Sequence, residues 1–184
     1  MGNNLTHNPA GDDWPVEEVS WNDCQEFIAK VNAVGKYHVS LPTEAQWEDA
    51  CRAGTETSFN FGSTLNGDKA NCDGNYHPYG KSSKGPSIGH TTRVGRYEPN
   101  AWNIYDMHGN VWEWCEDCYD NDFYTKEVAK VDPCCSSGGY RVNRGGSCGD
   151  YARNCRSASR DRNGPGFRGC DGGFRLVCSA GPCE

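Results

Sequence analysis

No apolar run in the 184 residues approaches the roughly 18 needed to cross a membrane, so a transmembrane helix is excluded. No internal repeat is present, which excludes a solenoid or a propeller. The N-terminus carries no secretory signal of the charged-then-apolar kind. The five histidines form no H-x-x-x-H pair, and the C-x-x-C at Cys115–Cys118 has no second C-x-x-C to complete a zinc set. Lysine is missing from the whole stretch between Arg141 and Arg175. Mean hydropathy is low at -0.83, yet six Trp, nine Tyr and six Phe argue against disorder.

What is present suits one loop-rich domain. The chain is 35% hydrophobic and 23% charged, and its length is right for a single domain. Glycine, at 23 residues, is the commonest type and nine prolines join it. The net charge of -7 disfavours a general nucleic-acid binder, and no nucleic-acid partner is expected. The charge is uneven. Eight of the eleven arginines but only Asp150, Asp161 and Asp171 fall between Arg141 and Arg175, a net of about +5 that leaves about -12 for the rest. Such a segment suits an anionic ligand. The plainer reading is preferred: guanidinium groups brace loops by donating to carbonyl oxygens.

Twelve cysteines permit disulfides and an oxidising compartment. The adjacent Cys134-Cys135 pair is poor zinc spacing. Met1-Gly2-Asn3-Asn4-Leu5-Thr6 fits a myristoylation pattern, and Asn4-Leu5-Thr6 a glycosylation sequon.

Two helices are expected. The first runs from Ser20 to Val34, capped by Ser20 with Asp23, and shows Cys24, Phe27, Ile28 and Val31 on one face. The second runs from Thr43 to Ala53, with a Thr43/Gln46 capping box, Gly54 beyond it, and Trp47, Ala50 and Cys51 facing inward. Residues 54–100 show no periodicity and read as long loops that need bracing, bound cations being one means. The aromatic segment from Trp102 to Trp114 is expected to be central. Tyr140–Arg144 and Phe174–Cys178 alternate like half-buried strands, with a turn-rich insert at 148–172 between them. The class is α+β, with two helices, small antiparallel sheets and many long loops.

Five segments then match one family in order: Pro15–Trp21, Leu41–Glu48, Asn103–Trp114, Arg144–Ser147 and Gly173–Arg175. Together they resemble the formylglycine-generating-enzyme, or sulfatase-modifying-factor, domain, which implies a C-type-lectin-like fold over residues 1–184. Met1–Asn4 resembles that domain's internal start rather than a lipidation signal. The domain's earlier N-terminal strands have no counterpart, so an N-terminally truncated fragment is expected. The family's oxidases resemble copper–thiolate enzymes, and soft thiolates are what Cu(I) requires. Matching Ser157–Arg160 and Gly173–Arg175 puts the two required cysteines at Ala152 and Ser157, so no copper is expected; Cys148 and Cys155 would be a shifted pair. The iron-dependent branch needs a histidine cluster that this chain lacks. The resemblance also implies structural calcium, held by Asp106 and Glu113 carboxylates with Gly109 and Val111 carbonyls, a hard-oxygen set. The alternative is that Asp106 caps a turn and Glu113 pairs with an arginine. Asn71 and Cys72 would correspond in part to a second site.

The frame Arg144-Gly-Gly-Ser147, Ala152–Ala158, Arg160, Arg162-Asn163, Pro165 and Gly173–Arg175 resembles the variable region of diversity-generating-retroelement proteins, a non-enzymatic branch of this fold. There, adenine-directed mutagenesis turns AAC codons into NNC, which cannot encode Trp, Met, Lys, Gln or Glu. None of the five occurs between Cys148 and Gly172, although they make up 28 of the 184 residues. Chance alone gives such a gap about 2% of the time on independent draws. The interspersed Cys148, Gly149, Asp150, Tyr151, Ser159, Asp161, Gly164, Gly166, Phe167, Gly169, Cys170, Asp171 and Gly172 are therefore the candidate ligand-binding positions. Their mix of aromatic, acidic and small residues suits a paratope. Position 148, aromatic in the wider family, is Cys here. The variable side chains are expected to face solvent as one surface; Cys148 and Cys170 either bridge and rigidify it or are incidental products of mutation. The resemblance implies a non-enzymatic binder of an unknown protein or other macromolecule, with the copper oxidase or an inactive homologue as the alternative. A cell-surface or secreted location is favoured, and a cytoplasmic one stays open.

Overall fold

The computed structural model describes residues 11–35 and 38–179, with the backbone alone at 179. The Met1–Thr6 patterns and Cys183 lie outside those residues. Helix α1 spans Trp21–Ala33 and starts where Ser20 and Asp23 close a reciprocal capping box. Cys24 and Ile28 are buried on its inner face, whereas Phe27 stays 46% exposed and meets Phe174 edge-on at 5.7 Å. Helix α2 spans Glu44–Arg52, capped by Thr43 and Gln46 in the same way. It ends because Ala53 turns left-handed, at φ 45°.

The strands are β1 (His38–Ser40), β2 (Trp112–Cys118), β3 (Arg141–Arg144), β4 (Asp161–Asn163), β5 (Gly172–Gly173) and β6 (Val177–Ser179). β1 and β6 form a two-stranded antiparallel pair. The larger sheet has the order β4-β3-β2-β5, antiparallel except for the two-residue β2–β5 pairing. Two expectations shift. The alternation at Phe174–Cys178 yields a strand only from Val177. Residues 174–176 leave the sheet, since Phe174 packs on Phe27 and Arg175 reaches Glu113. The turn-rich insert contributes an edge strand, β4, and a short 3-10 turn at Ala152–Cys155.

The core is divided. Val19, Cys24, Ile28, Leu41 and Trp114 pack together, and Trp47, Cys51, Met107, Cys115 and Val142 form a second group between α2 and the sheet. The aromatic segment is only half central: Trp114 is buried, whereas Trp102 and Tyr105 lie at the surface. Residues 54–100 are held by an apolar cluster of their own, in which Phe59, Leu65, Ala70 and Cys72 meet Ala152 and Cys155. The long loop thus docks onto the C-terminal insert.

Buried ions tie these pieces together. Arg144 is fully buried against Glu44, Glu48 and the carbonyls of Ser157 and Ser159. Its Nε lies 3.4 Å from Glu44 without a well-aligned hydrogen bond. Arg160 adds a two-pronged contact to Glu44 at 2.6 and 2.7 Å.

Candidate ligand-binding surface

Trp112 is the hub of the insert. Its main-chain N–H donates to the Asp171 carbonyl at 2.8 Å, and its indole N–H donates to Asp150 at 2.7 Å. It also floors a groove of 420 Å³ lined by Asn154, Arg156, Ala158, Ser159, Arg160 and Asp161. A second cleft of 260 Å³ lies between His77, Pro78, Tyr79 and Gly80 on one side and Tyr151 and Arg153 on the other. Residues 164–170 fold over the start of α1: Asn22 N–H donates to the Pro165 carbonyl, Glu18 N–H to that of Gly169, and Arg168 clamps Asp23 at 2.7 and 2.6 Å.

The thirteen candidate positions separate by burial. Gly149, Tyr151, Asp161, Gly166, Phe167 and Cys170 are exposed; Asp150, Gly164, Gly169 and Asp171 are half-buried; Cys148, Ser159 and Gly172 are buried. The expectation that all face solvent as one surface is corrected on both counts. The last three point inward, since Cys148 lies under the insert, Ser159 donates to the Arg153 carbonyl at 2.8 Å and Gly172 is paired in β5. The exposed ones are spread over separate places: Tyr151 lines the 260 Å³ cleft, Asp161 lines the 420 Å³ groove, and Gly166 and Phe167 belong to the segment folded over the start of α1. Asp150 builds rather than displays: it accepts from Trp112, Asn154 and both the N–H and hydroxyl of Ser147. Cys148 and Cys170 are both free thiols, so the bridge between them is not made.

The glycines of this segment differ from those of the frame. None of the five at 149, 164, 166, 169 and 172 has the positive φ that demands glycine, and at 149 and 164 a Cβ would meet nothing within 4 Å. Gly146, in the frame, has φ +75° and a Cβ there would lie 2.6 Å from the Cys155 sulfur.

The two positions matched to the copper-binding cysteines carry Ala152 and Ser157. Both are fully buried. Cys155 sits against Cys72, whose thiol contact together with burial pushes its own thiol well above the usual range. Burial pushes Cys148 up to about 11. Protonated thiols are poor nucleophiles and poor metal ligands. Cys51 lies 3.7 Å from the His108 Nε2, but burial raises the thiol to about 12 and lowers the imidazole to about 4, so the pair is neutral. His108 Nδ1 lies 2.7 Å from the Cys155 carbonyl and Nε2 accepts from the Asn60 N–H, a structural arrangement.

The calcium set does not fit as folded. Asp106 and Glu113 line one pocket, but both Glu113 oxygens are held by Arg175 at 2.6 Å, with Trp47 donating to one of them. Asp106 accepts from the Gly95 N–H at 2.6 Å. The Gly109 carbonyl accepts from the Val111 N–H at 3.1 Å. A divalent cation would share Glu113 with a guanidinium. At the second position, the Asn71 side-chain oxygen is buried without a partner, whereas Cys72 is packed on Cys155. Among the described residues no group of three or more His, Cys, Asp or Glu is poised for a metal.

The family model for the sulfatase-modifying factor enzyme 1-like domain matches residues 2–180. The chain belongs to that family. It is 34% identical over 191 residues to the formylglycine-generating enzyme of Thermomonospora curvata, covering 98% of this chain and 59% of that protein. The chain therefore spans well under two thirds of that relative's length. Among solved structures, PvdO from Pseudomonas aeruginosa superposes with a TM-score of 0.76 at 29% identity, over 92% of this chain and 64% of that one. Treponema denticola variable protein 1 superposes with a TM-score of 0.71 at 28% identity, over 97% of this chain and 78% of that one. The fold is the C-type-lectin-like one of the formylglycine-generating type, and the variable-protein relationship extends over nearly the whole domain.

Sequence reading did not single out Trp112, His77, Tyr79, Asn154 or Arg156 as surface-forming. Trp112 carried a signal, lying in the aromatic segment beside Trp114. His77 and Tyr79 carried none: a long-range bridge between Asp73 and Tyr151 brings their segment to the insert.

Proposed function

We propose that this domain is a non-enzymatic ligand-binding protein whose exposed C-terminal residues are diversified by a retroelement. The observation that carries the reading is the division of the insert. Buried Arg144, Ala152, Ser157 and Asp150's hydrogen bonds hold its backbone, while Gly149, Tyr151, Asp161, Gly166, Phe167 and Cys170 are exposed, Tyr151 meeting the His77 ring at 4.2 Å. Such positions can change without loss of the fold, as loops on a rigid scaffold do. The partner is a protein or another macromolecule, met through exposed aromatics with small polar residues between them. Ala152 and Ser157 at the positions matched to the copper-binding cysteines speak against copper-thiolate turnover.

The gene's own locus tests this. The expected result is a reverse-transcriptase gene nearby and a near-copy of the coding stretch for residues 148–172, differing at adenines. An intact locus with neither removes the diversification. The copper-oxidase reading draws on the 34% identity to an enzyme of that name. Stoichiometric Cu(I) binding that is lost in Cys148→Ala or Cys155→Ala would favour it.

A further inference from the structure

The eight arginines between Arg141 and Arg175 do not share one role. Arg144, Arg160, Arg168 and Arg175 each sit on a carboxylate. Arg153 and Arg156 have no carboxylate partner among the described residues. Arg156 donates through Nε to the Arg153 carbonyl at 2.7 Å and rests over the Tyr79 ring at 5.6 Å. Arg153, exposed, lies over the Tyr151 ring at 5.7 Å. Each cation thus rests over a tyrosine ring that lines the 260 Å³ cleft. Arg153 lines the 260 Å³ cleft and Arg156 the 420 Å³ groove, so the pair marks the ridge between them. The cleft walls are fixed. Asp73 N–H donates to the Asp150 carbonyl at 2.8 Å, and the His77 and Tyr151 rings meet at 4.2 Å.

We infer that this cleft takes an acidic peptide segment, with the Arg153 and Arg156 guanidinium groups clamping a side-chain carboxylate and Tyr79, His77 and Tyr151 packing its neighbours. This rests on the ligand-binding reading and names the ligand's chemistry. Guanidinium forks match carboxylates in two-pronged geometry. Aromatic rings add contact area and orient the cations. A polyanion fits less well. Asp161 stands exposed at the far wall of the groove, and the chain's net charge of -7 repels a phosphodiester backbone at longer range. One or two carboxylates meet the two cations without meeting that field.

The test is a random ten-residue peptide library displayed on phage and selected on the whole immobilised chain. Selected peptides are expected to be enriched in Asp and Glu over the input. The strongest, as a synthetic labelled peptide, should bind about tenfold more weakly to Arg153→Gln and to Arg156→Gln, and more weakly as salt rises. Arg156→Lys should recover part of the loss, and far-ultraviolet spectra should match the parent throughout. Neutral or basic selected peptides overturn the inference, as does acidic enrichment that survives in the double Arg→Gln variant. Selection of no peptide also overturns it, as does tighter arginine-dependent binding of a thymidine oligonucleotide. In each of these cases the binder reading falls only if the locus also lacks the reverse transcriptase and the near-copy.

Discussion

Two populations of arginine and glycine share the last third of this chain, and they behave oppositely. In the frame, Arg144 is sealed between Glu44 and Glu48, and Gly146 occupies a backbone conformation that side chains resist. In the insert, Arg153 and Arg156 lie on tyrosine rings with no acid beside them among the described residues, and Gly149, Gly164 and Gly166 have room for a Cβ at an unstrained φ. The same residue type is locked into the fold in one place and left without a carboxylate partner a few positions on. Burial and backbone angle separate a scaffold from what it displays.

The widest gap should appear at Arg144. Arg144→Ala leaves Glu44 and Glu48 short of a partner and two carbonyls undonated. Urea unfolding should show a loss of about 3–5 kcal/mol; a loss under about 1 kcal/mol would mean that the frame does not depend on this ion cluster.

Next is His108, held neutral by burial with its ionisation pushed down from 6.5 to about 4. Because the unfolded chain binds the proton first, the histidine lowers stability as pH falls from about 6.5 to about 4. The loss is about 3 kcal/mol across that window. Burial raises Asp106, Glu116 and Asp117, which act in the opposite sense as pH falls. The readout is therefore the difference between the parent and His108→Gln, whose acid limb should be flatter. Parallel acid limbs would contradict the buried, neutral imidazole.

At the glycines, Gly146→Ala should cost about 2 kcal/mol or more. At the N-terminus of α1, Asp23→Asn should cost about 1 kcal/mol at pH 7. Arg168 and the Ser20 cap hold Asp23 well below the usual carboxylate range. The stabilisation is complete above the unfolded value near 4 and is lost as pH falls towards the depressed one. The two melting curves should therefore converge in strong acid. Gly166→Ala, the smallest effect, should stay within about 0.5 kcal/mol. Equal costs at Gly146 and Gly166 would erase the distinction between frame and display.

Local chemistry made the helices legible. Ser20 with Asp23 and Thr43 with Gln46 are short-range signals, and both caps form as the residues imply. The candidate display segment was legible only as a list of residue types, from which Trp, Met, Lys, Gln and Glu are missing. Which of those types point outward was not. Ser159 is buried where its hydroxyl donates to the Arg153 carbonyl, and Cys148 is buried where its N–H donates to the Asn110 carbonyl, placements set by main-chain direction and long-range docking. Asp150 looked like a contact residue because it is acidic and lies in a loop; its fourfold hydrogen bonding depends on where Trp112 arrives. The calcium set was carried by resemblance, and the guanidinium of Arg175 that sits on Glu113 is 62 residues away.

The most direct test randomises Gly149, Tyr151, Asp161, Gly166, Phe167 and Cys170 together with NNC codons, and in a second library Cys148, Ser159 and Gly172. Thermal unfolding of individual clones would be measured for both. Most clones of the first library should melt within about 5 °C of the parent and different clones should select different peptides, while most of the second should be unfolded. If the two libraries lose the fold equally often, the display segment is structural, and the account of a stable frame carrying replaceable contact residues is wrong.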